Sequence, residues 1–562
     1  MLTDEQLEAF GEELVPIFQQ LEQDIVNDIA RRVRKEERWT ETAELQATQL
    51  RELGWSPRRI RIEVLRQLNA DRDYTAMLER NTIEAKAVQQ EAINEAKEAL
   101  RKAAPEIFEN VGNMAFNNDM SAWEQAGQTL VRGGKVDKLV QAVRKRAVGE
   151  IVNLTKTMGF STPTGTVSAK RAFSSALNSA LTQVVSGTMS SRQACDNAVR
   201  QLTQSGLRHV DYGNGVTRQI DTAVRNAVRT ASAQLSGEIM QTNIEESGVQ
   251  YVQVSSHWGA RESHAVWQGG IYTLEEFRTV CGYGEPSNPD HIYSYNCRHT
   301  HYPYWPGISE PLTFPPEPGP FEVDGKTYTY YQATQKQRAM ERSIRAAKRD
   351  ALAHEAMGDK DALARAKIAL DEKTAAYERF SAQVNMRPRL ERTTVLGYDR
   401  GAAAKGCAAV REEIKRLISI NDRYRSGGDP LYDVLGPISK SHPDEVLRIR
   451  QEAEQLGVSV KSRPNAIAYA PGLMSGMPGQ LFISEENSYG AWLHEERHML
   501  DDAKDGFAGF RGIVDTRRRI RMEYRAYAVE IDLAKELGRD DIVEELIRLR
   551  DEEIAMIKGK KT

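Results

Sequence analysis

"LHEERHML", residues Leu493–Leu500, puts His494 and His498 four residues apart, with Glu495 directly after the first. On a helix, side chains four apart share one face, one turn above the other. Two neutral imidazoles so placed can fill two corners of a tetrahedral zinc site. Glu495 then points towards the corner left open for water, where it can take a proton. A third protein ligand must come from elsewhere in the chain. A solvated helix with two merely polar histidines would read the same way, so the flanking sequence has to decide.

Upstream, "GCAAVREEIKRLISI" and "SHPDEVLRIRQEAEQLG" read as helices, the second with Ser441 near its start and Gly457 at its end. "VSVK", "AIAYAP" and "QLFIS" then read as three short strands separated by Gly/Pro turns. The motif helix is expected to begin near Asn487 or Ser488. "QLFIS" lies where an enzyme cleaving extended peptides could pair it with substrate. Downstream, "RRRIRMEYRAYAVEIDLAKELG" forms a second long helix with Glu523, Tyr527 and Glu530 on one face. A carboxylate from that helix is a suitable third ligand. Glu523 is the expected one, with Glu530, Asp501 and Asp502 as rivals.

Strand, HExxH helix, loop, and a helix carrying E-x-x-A at Glu523 and Ala526: this order resembles the zincin metallopeptidases whose third ligand is a glutamate. The resemblance implies an α+β domain over residues 396–562, with a small sheet and the HExxH helix. It implies Zn2+ held by His494, His498 and Glu523, and peptide-bond hydrolysis with Glu495 catalytic. Tyr527 is expected to help stabilise the oxyanion.

The rest of the chain has a different character. Its first 249 residues read as helix almost throughout. "DYTAMLERNTIEAKAVQQEAINEAKEALRKAA", Asp73–Ala104, is rich in helix formers, and Pro105 is expected to close it. "VDKLVQAVRKRAVGEIVNLTKTMG" and "GVTRQIDTAVRNAVRTASAQLSGEIMQTNIEESG" carry apolar residues three and four apart. "FSTPTGTVSAK" and "RHVDYGNG" read as loops between them. From residue 250 a strand-like alternation, "VQYVQV", leads into aromatic, Gly-rich loops, and residues 250–332 are expected to form a compact unit closed by a Pro-rich joint. That joint leads into a hairpin turning at Asp324-Gly325. Residues 333–395 are helical and highly charged, broken by "MGDK" into an antiparallel pair; such a charge run ordinarily marks a solvated helix face.

His257, His264, Cys281, His291, Cys297, His299 and His301 crowd into the compact unit. Cysteine and histidine in loops can hold a structural zinc, but no paired CxxC spacing is present. A hydrogen-bonded, aromatic-rich core accounts for the same residues. As a signature the segment says more. "SSHWGARESHAVWQGGIY", "CGYGE" and "NCRHTHYPYWPGISEP", followed by "QRAMERSIRAAKRDAL" and "AYERFSAQVNMRPRLERT", closely resemble the minor capsid proteins of tailed phages, the minor capsid protein 2-like family. This resemblance spans roughly residues 10–395. It implies a virion protein acting in head assembly or at the portal vertex, with portal and capsid proteins as partners, and present in the host bacterial cytoplasm during assembly.

Whole-chain totals restrict the alternatives. At 562 residues the chain is too long for one core. Its 76 basic and 80 acidic residues give a net charge of −4, which provides no whole-chain signal for nucleic acid. No apolar run reaches membrane-spanning length, and the acidic start "MLTDEQLEAFGEELV" lacks the order of a signal peptide. Four cysteines in so long a chain argue against a disulfide framework. The expected protein is therefore a mainly helical minor capsid region carrying a zincin-like peptidase that acts on a peptide or protein substrate. Two alternatives stand beside it: a purely structural, partner-binding protein with an inert C-terminal fold, and an assembly protease trimming head proteins.

Overall fold

A helix of 54 residues, Arg72–Gln125, is the longest element of the chain. Asp71 starts it, its carboxylate accepting the backbone N–H groups of Asp73 and Tyr74. Met77, Asn81, Ala85, Ala92, Ala96 and Leu100 are buried along one stripe at helical spacing. Pro105 does not close it. A proline inside a helix costs about 3 kcal/mol. Here the following turns bury Ile107, Phe108, Val111, Ala115, Phe116 and Trp123, and that packing outweighs the missing hydrogen bond.

The computed structural model describes residues 2–163, 165–210, 217–285, 287–295, 297–425, 429–462, 467–472, 476–509 and 515–558. The chain divides into two units: Met1–Asp359 with Ala376–Ala402, and Lys360–Ala375 with Ala403–Thr562. In the first, the long helix packs against Val15–Lys35, Gly134–Asn153 and Ile220–Glu246 around one continuous apolar core. The two expected loops are partly strand. Met158–Thr162, Gly165–Ser168, Arg208–Val210 and Thr217–Gln219 form a four-stranded antiparallel sheet. These strands are short and polar, so no alternating pattern announced them. Residues 211–216 of the "RHVDYGNG" stretch lie outside the described residues.

Strand Tyr251–Val254 is the centre of a second sheet, flanked antiparallel by Ile271–Thr273 and His301–Tyr304. The hairpin Phe321–Val323 with Lys326–Tyr328 turns at Asp324 and Gly325, both at positive φ as a two-residue type I′ turn requires. "MGDK" ends helix Tyr330–Met357 at Gly358, in the left-handed conformation, before helix Lys360–Gln383 begins. Gln337 with Ser381 and Glu341 with Tyr377 show the two running antiparallel.

The charge run on Tyr330–Met357 is not a solvated face. Glu341, Arg345, Arg349, Asp350 and His354 are buried, because this helix packs on the scaffold helices Val15–Lys35 and Ser191–Ser205. Its charges are therefore partnered. Arg345 pairs with Asp221 at 2.9 Å, Arg349 with Glu22 at 3.5 Å, and Asp350 accepts from Thr203 at 2.8 Å.

The second unit holds helix Pro443–Gln455, a three-stranded sheet, and helices Tyr489–Lys504, Thr516–Glu536 and Asp540–Ile557. Sheet order is Ser459–Lys461, Gln480–Phe482, Ala468–Ala470, the first pair parallel and the second antiparallel. "QLFIS" is thus the central strand with both flanks paired, and cannot add a substrate strand. Ala468–Ala470 is an edge. The sheet buries Leu481 and Ile483 with Val446 and Ile449 of one helix and Trp492 and Met499 of another.

Asp221 offers a test of the buried charges. Burial pushes its carboxyl up, but Arg345, Arg225 and Arg349 override that and hold it down at about 2. A folded-state pKa below the unfolded one stabilises above the unfolded value and is lost as pH falls through the folded one. The shift corresponds to about 2 kcal/mol, present above about pH 4 and fading towards pH 2. Asp221→Asn strands Arg345 and should cost about 3–5 kcal/mol at neutral pH. Denaturant unfolding of wild type and variant across this range should show the gap narrowing as pH drops.

Candidate metal centre

The motif helix is held by its start. Ser488 caps it, accepting from the backbone N–H of Ala491, and Asp429 accepts from both the Ser488 N–H at 2.7 Å and the hydroxyl at 2.5 Å. Gly490 lets Leu431 approach so closely that a Cβ would overlap its side chain. Trp492 is fully buried and donates its indole N–H to the Ser484 carbonyl. Glu496 takes both guanidinium N–H groups of Arg448, at 2.6 and 3.0 Å, from helix Pro443–Gln455. Together these contacts fix the helix rotation, so that His494, Glu495 and His498 face inward.

Helix Thr516–Glu536 supplies the opposing face. Asp515 caps it, accepting from the N–H groups of Arg517 and Arg518. Arg518 reaches Asp502 and Asp505 at 2.9 Å each, and Arg525 reaches Asp501 at 3.3 Å, tying this helix to the motif helix. Glu523 then meets the two imidazoles. Its Oε2 lies 3.7 Å from His494 Nε2 and 3.4 Å from His498 Nε2, and the two nitrogens are 3.1 Å apart. Burial pushes the Glu523 carboxyl up, but the facing imidazoles hold it well below the usual carboxylate range.

These spacings suit one ion. Two nitrogen or oxygen donors, each about 2.0–2.1 Å from a tetrahedral zinc, lie about 3.3–3.4 Å apart. The donor set, two imidazoles and a carboxylate, is one zinc accepts. Glu530, on the same helix face seven residues after Glu523, takes the His494 Nδ1 hydrogen at 2.7 Å. That contact puts a ring hydrogen on Nδ1, so in the neutral ring the lone pair is on Nε2, the atom facing Glu523 and His498.

The rivals for third ligand are committed elsewhere. Glu530 orients His494. Asp501 pairs with Arg497 and Arg525. Asp502 accepts from the Tyr469 hydroxyl at 2.9 Å, from Arg518 and from the Ala508 N–H. Glu495 is buried, and its Oε2 accepts the Tyr469 N–H of the edge strand at 2.5 Å. Tyr527 has a different place from the oxyanion role expected of it. Its ring stands edge-on to His494 with centroids 4.8 Å apart, while its hydroxyl donates to Glu553 of the last helix at 2.9 Å. Tyr469 and Asp429 were missed by sequence reasoning. Neither carries a local signal, since each acts through a contact set by tertiary packing.

In the first unit, His264, Cys297 and His299 come together. His301 instead bonds the Tyr293 hydroxyl, and His291 the Ile292 carbonyl. Among the described residues, no helix is long and apolar enough to cross a membrane.

Residues 2–381 match the family model of phage minor capsid protein 2. No curated protein and no solved structure matches the chain. The matched span takes in the helical scaffold, the aromatic sheet unit with its Cys/His segment, helix Tyr330–Met357 and most of helix Lys360–Gln383. The chain belongs to the phage minor capsid protein 2 family, and is thus a structural protein of the virion that associates with other virion proteins.

Proposed function

We propose that this minor capsid protein carries a zinc-dependent peptidase of zincin type in its C-terminal unit. The reading rests on one observation: the 3.1, 3.4 and 3.7 Å triangle of His494, His498 and Glu523 donor atoms. A chance pairing of two histidines on a helix has no reason to meet a carboxylate at the edge length of a zinc tetrahedron.

Bound there, the ion would supply Lewis-acid polarisation of a peptide carbonyl. The chain's own groups do the rest. Glu495, fixed by the Tyr469 N–H, takes the proton of the attacking water on its carboxylate and passes it to the departing amine nitrogen. Glu530 keeps the His494 ring in the tautomer that presents Nε2. Tyr527 walls the imidazole. The edge strand Ala468–Ala470, beside Glu495, is the place for an extended substrate. Portal and capsid proteins are the partners we assign to the rest of the chain, during assembly in the host bacterial cytoplasm and then in the particle.

Glu495→Gln should retain zinc, measured by elemental mass spectrometry, while hydrolysis of a peptide library falls by about 10²–10⁴-fold. Zinc-free wild-type protein, or a Glu495→Gln chain as active as wild type, sinks the reading and leaves a purely structural protein. In phage carrying the same substitution, uncleaved head proteins would point to trimming during assembly. Normal particles would point to a substrate outside the head.

Glu530→Gln keeps every ligand but weakens the hold on the His494 tautomer. Its zinc affinity should drop about 10–100-fold, read by competition with a chromogenic chelator. An unchanged affinity would remove Glu530 from the centre.

A further inference from the structure

The Cys/His segment of the first unit contains a second trio, built independently of the C-terminal centre. His264 comes from the short helical turn Glu262–Ala265, and Cys297 and His299 from the stretch leading into strand His301–Tyr304. Cys297 Sγ lies 3.7 Å from His264 Nδ1 and 3.7 Å from His299 Nδ1, and those two nitrogens are 3.3 Å apart. All three residues are at most 5% exposed. A thiolate about 2.3 Å and an imidazole nitrogen about 2.0–2.1 Å from a tetrahedral zinc lie about 3.5–3.6 Å apart, and two such nitrogens about 3.3–3.4 Å. The trio has those spacings.

The protons of His299 are fixed by its neighbour. Gln268 Oε1 accepts the backbone N–H of His257 at 3.1 Å, which identifies that atom as the carbonyl oxygen. The same oxygen faces His299 Nε2 at 3.1 Å, so Nε2 carries the hydrogen. With that hydrogen on Nε2, the ring of His299 is the tautomer whose other nitrogen accepts. Its lone pair sits on Nδ1, towards Cys297 and His264. An oxygen acceptor behind the ring and a bare nitrogen in front is how a metal-binding histidine is normally held.

We propose that Cys297, His264 and His299 form a zinc site that staples the turn at Glu262–Ala265 to the segment entering the central sheet. Thiolate with imidazole is a donor set zinc favours. Three protein donors take three corners, and a small non-protein ligand such as water takes the fourth. Between Val280 and His301 the described residues form no helix or strand, so a metal cross-link there replaces the contacts that regular structure would provide. This inference stands apart from the peptidase reading.

The test uses the full-length chain with His494→Ala and His498→Ala, which removes the C-terminal centre. Elemental analysis should still find about one zinc per chain. Exchange for cobalt should give a thiolate-to-cobalt charge-transfer band, which the C-terminal centre, having no cysteine, cannot produce. Cys297→Ser should abolish that band, and Cys281→Ser should leave it. A double variant without zinc overturns the proposal and leaves a hydrogen-bonded trio, whatever the Cys297 variant does. So does a cobalt band that survives Cys297→Ser.

Discussion

His494, His498, Glu523 and Glu530 converge on one small volume, and the C-terminal unit is arranged around the need to satisfy them. Each is mostly withdrawn from water. A buried imidazole or carboxylate is tolerated only with a partner of the right kind. The partners lie on two helices, so the helices must hold one rotation and one axial register. A slip of a single residue would turn Glu523 by about 100° away from the histidines. Cap, tryptophan and arginine contacts all act on that register. Asp429 and Ser488 set where the motif helix begins, Arg448 grips Glu496 on its flank, and Arg518 bridges the two helices through Asp502.

The first unit solves the same problem with opposite charges. Helix Tyr330–Met357 buries arginines where a soluble helix would expose them, and each lies against a carboxylate or carbonyl. Arg345 faces Asp221 and the Arg392 carbonyl, and Arg349 faces Glu22 and the Thr203 carbonyl. Glu22 in turn accepts the Leu207 N–H. Such pairs add little net stability over apolar packing of the same volume, but removing one member is costly. Their effect is to admit one docking of this helix and penalise others, which suits a protein that must present a defined surface to its virion neighbours.

How much of this was legible in the sequence follows from the range of each interaction. The i, i+4 histidines and the Glu523/Glu530 face are local, and local periodicity carried them. Which of the two glutamates meets both imidazoles and which bonds His494 Nδ1 depends on helix-to-helix register, which the letters do not hold. "DG" and "MGDK" were readable because the left-handed backbone at Gly325 and Gly358 is a local requirement. Pro105 misled because the helix around it is sustained by buried Ile107, Phe108 and Val111, a tertiary effect. The charge run misled for the same reason: Arg345 and Arg349 are buried by partners more than a hundred residues earlier in the chain. Gln480–Phe482 was legible as a strand. Its central position was not, because strand order is topology rather than pattern.

The two trios differ in a way that bears on what each can do. Both hold an imidazole by an oxygen behind the ring, Glu530 for His494 and Gln268 for His299. In the first unit the donors are two imidazoles and a thiol, all fully buried, an enclosed and weakly charged setting that suits a fixed cross-link. In the C-terminal unit His498 and Glu523 keep about a tenth of their side-chain surface, and Glu495 stands alongside. For the peptidase proposed here, that partial opening, with a carboxylate next to it and a strand edge nearby, would give a reacting group a way in. With zinc in both trios as proposed, accessibility on one side, more than the identity of the donors, would separate a centre that can turn over a substrate from one that only binds the fold together.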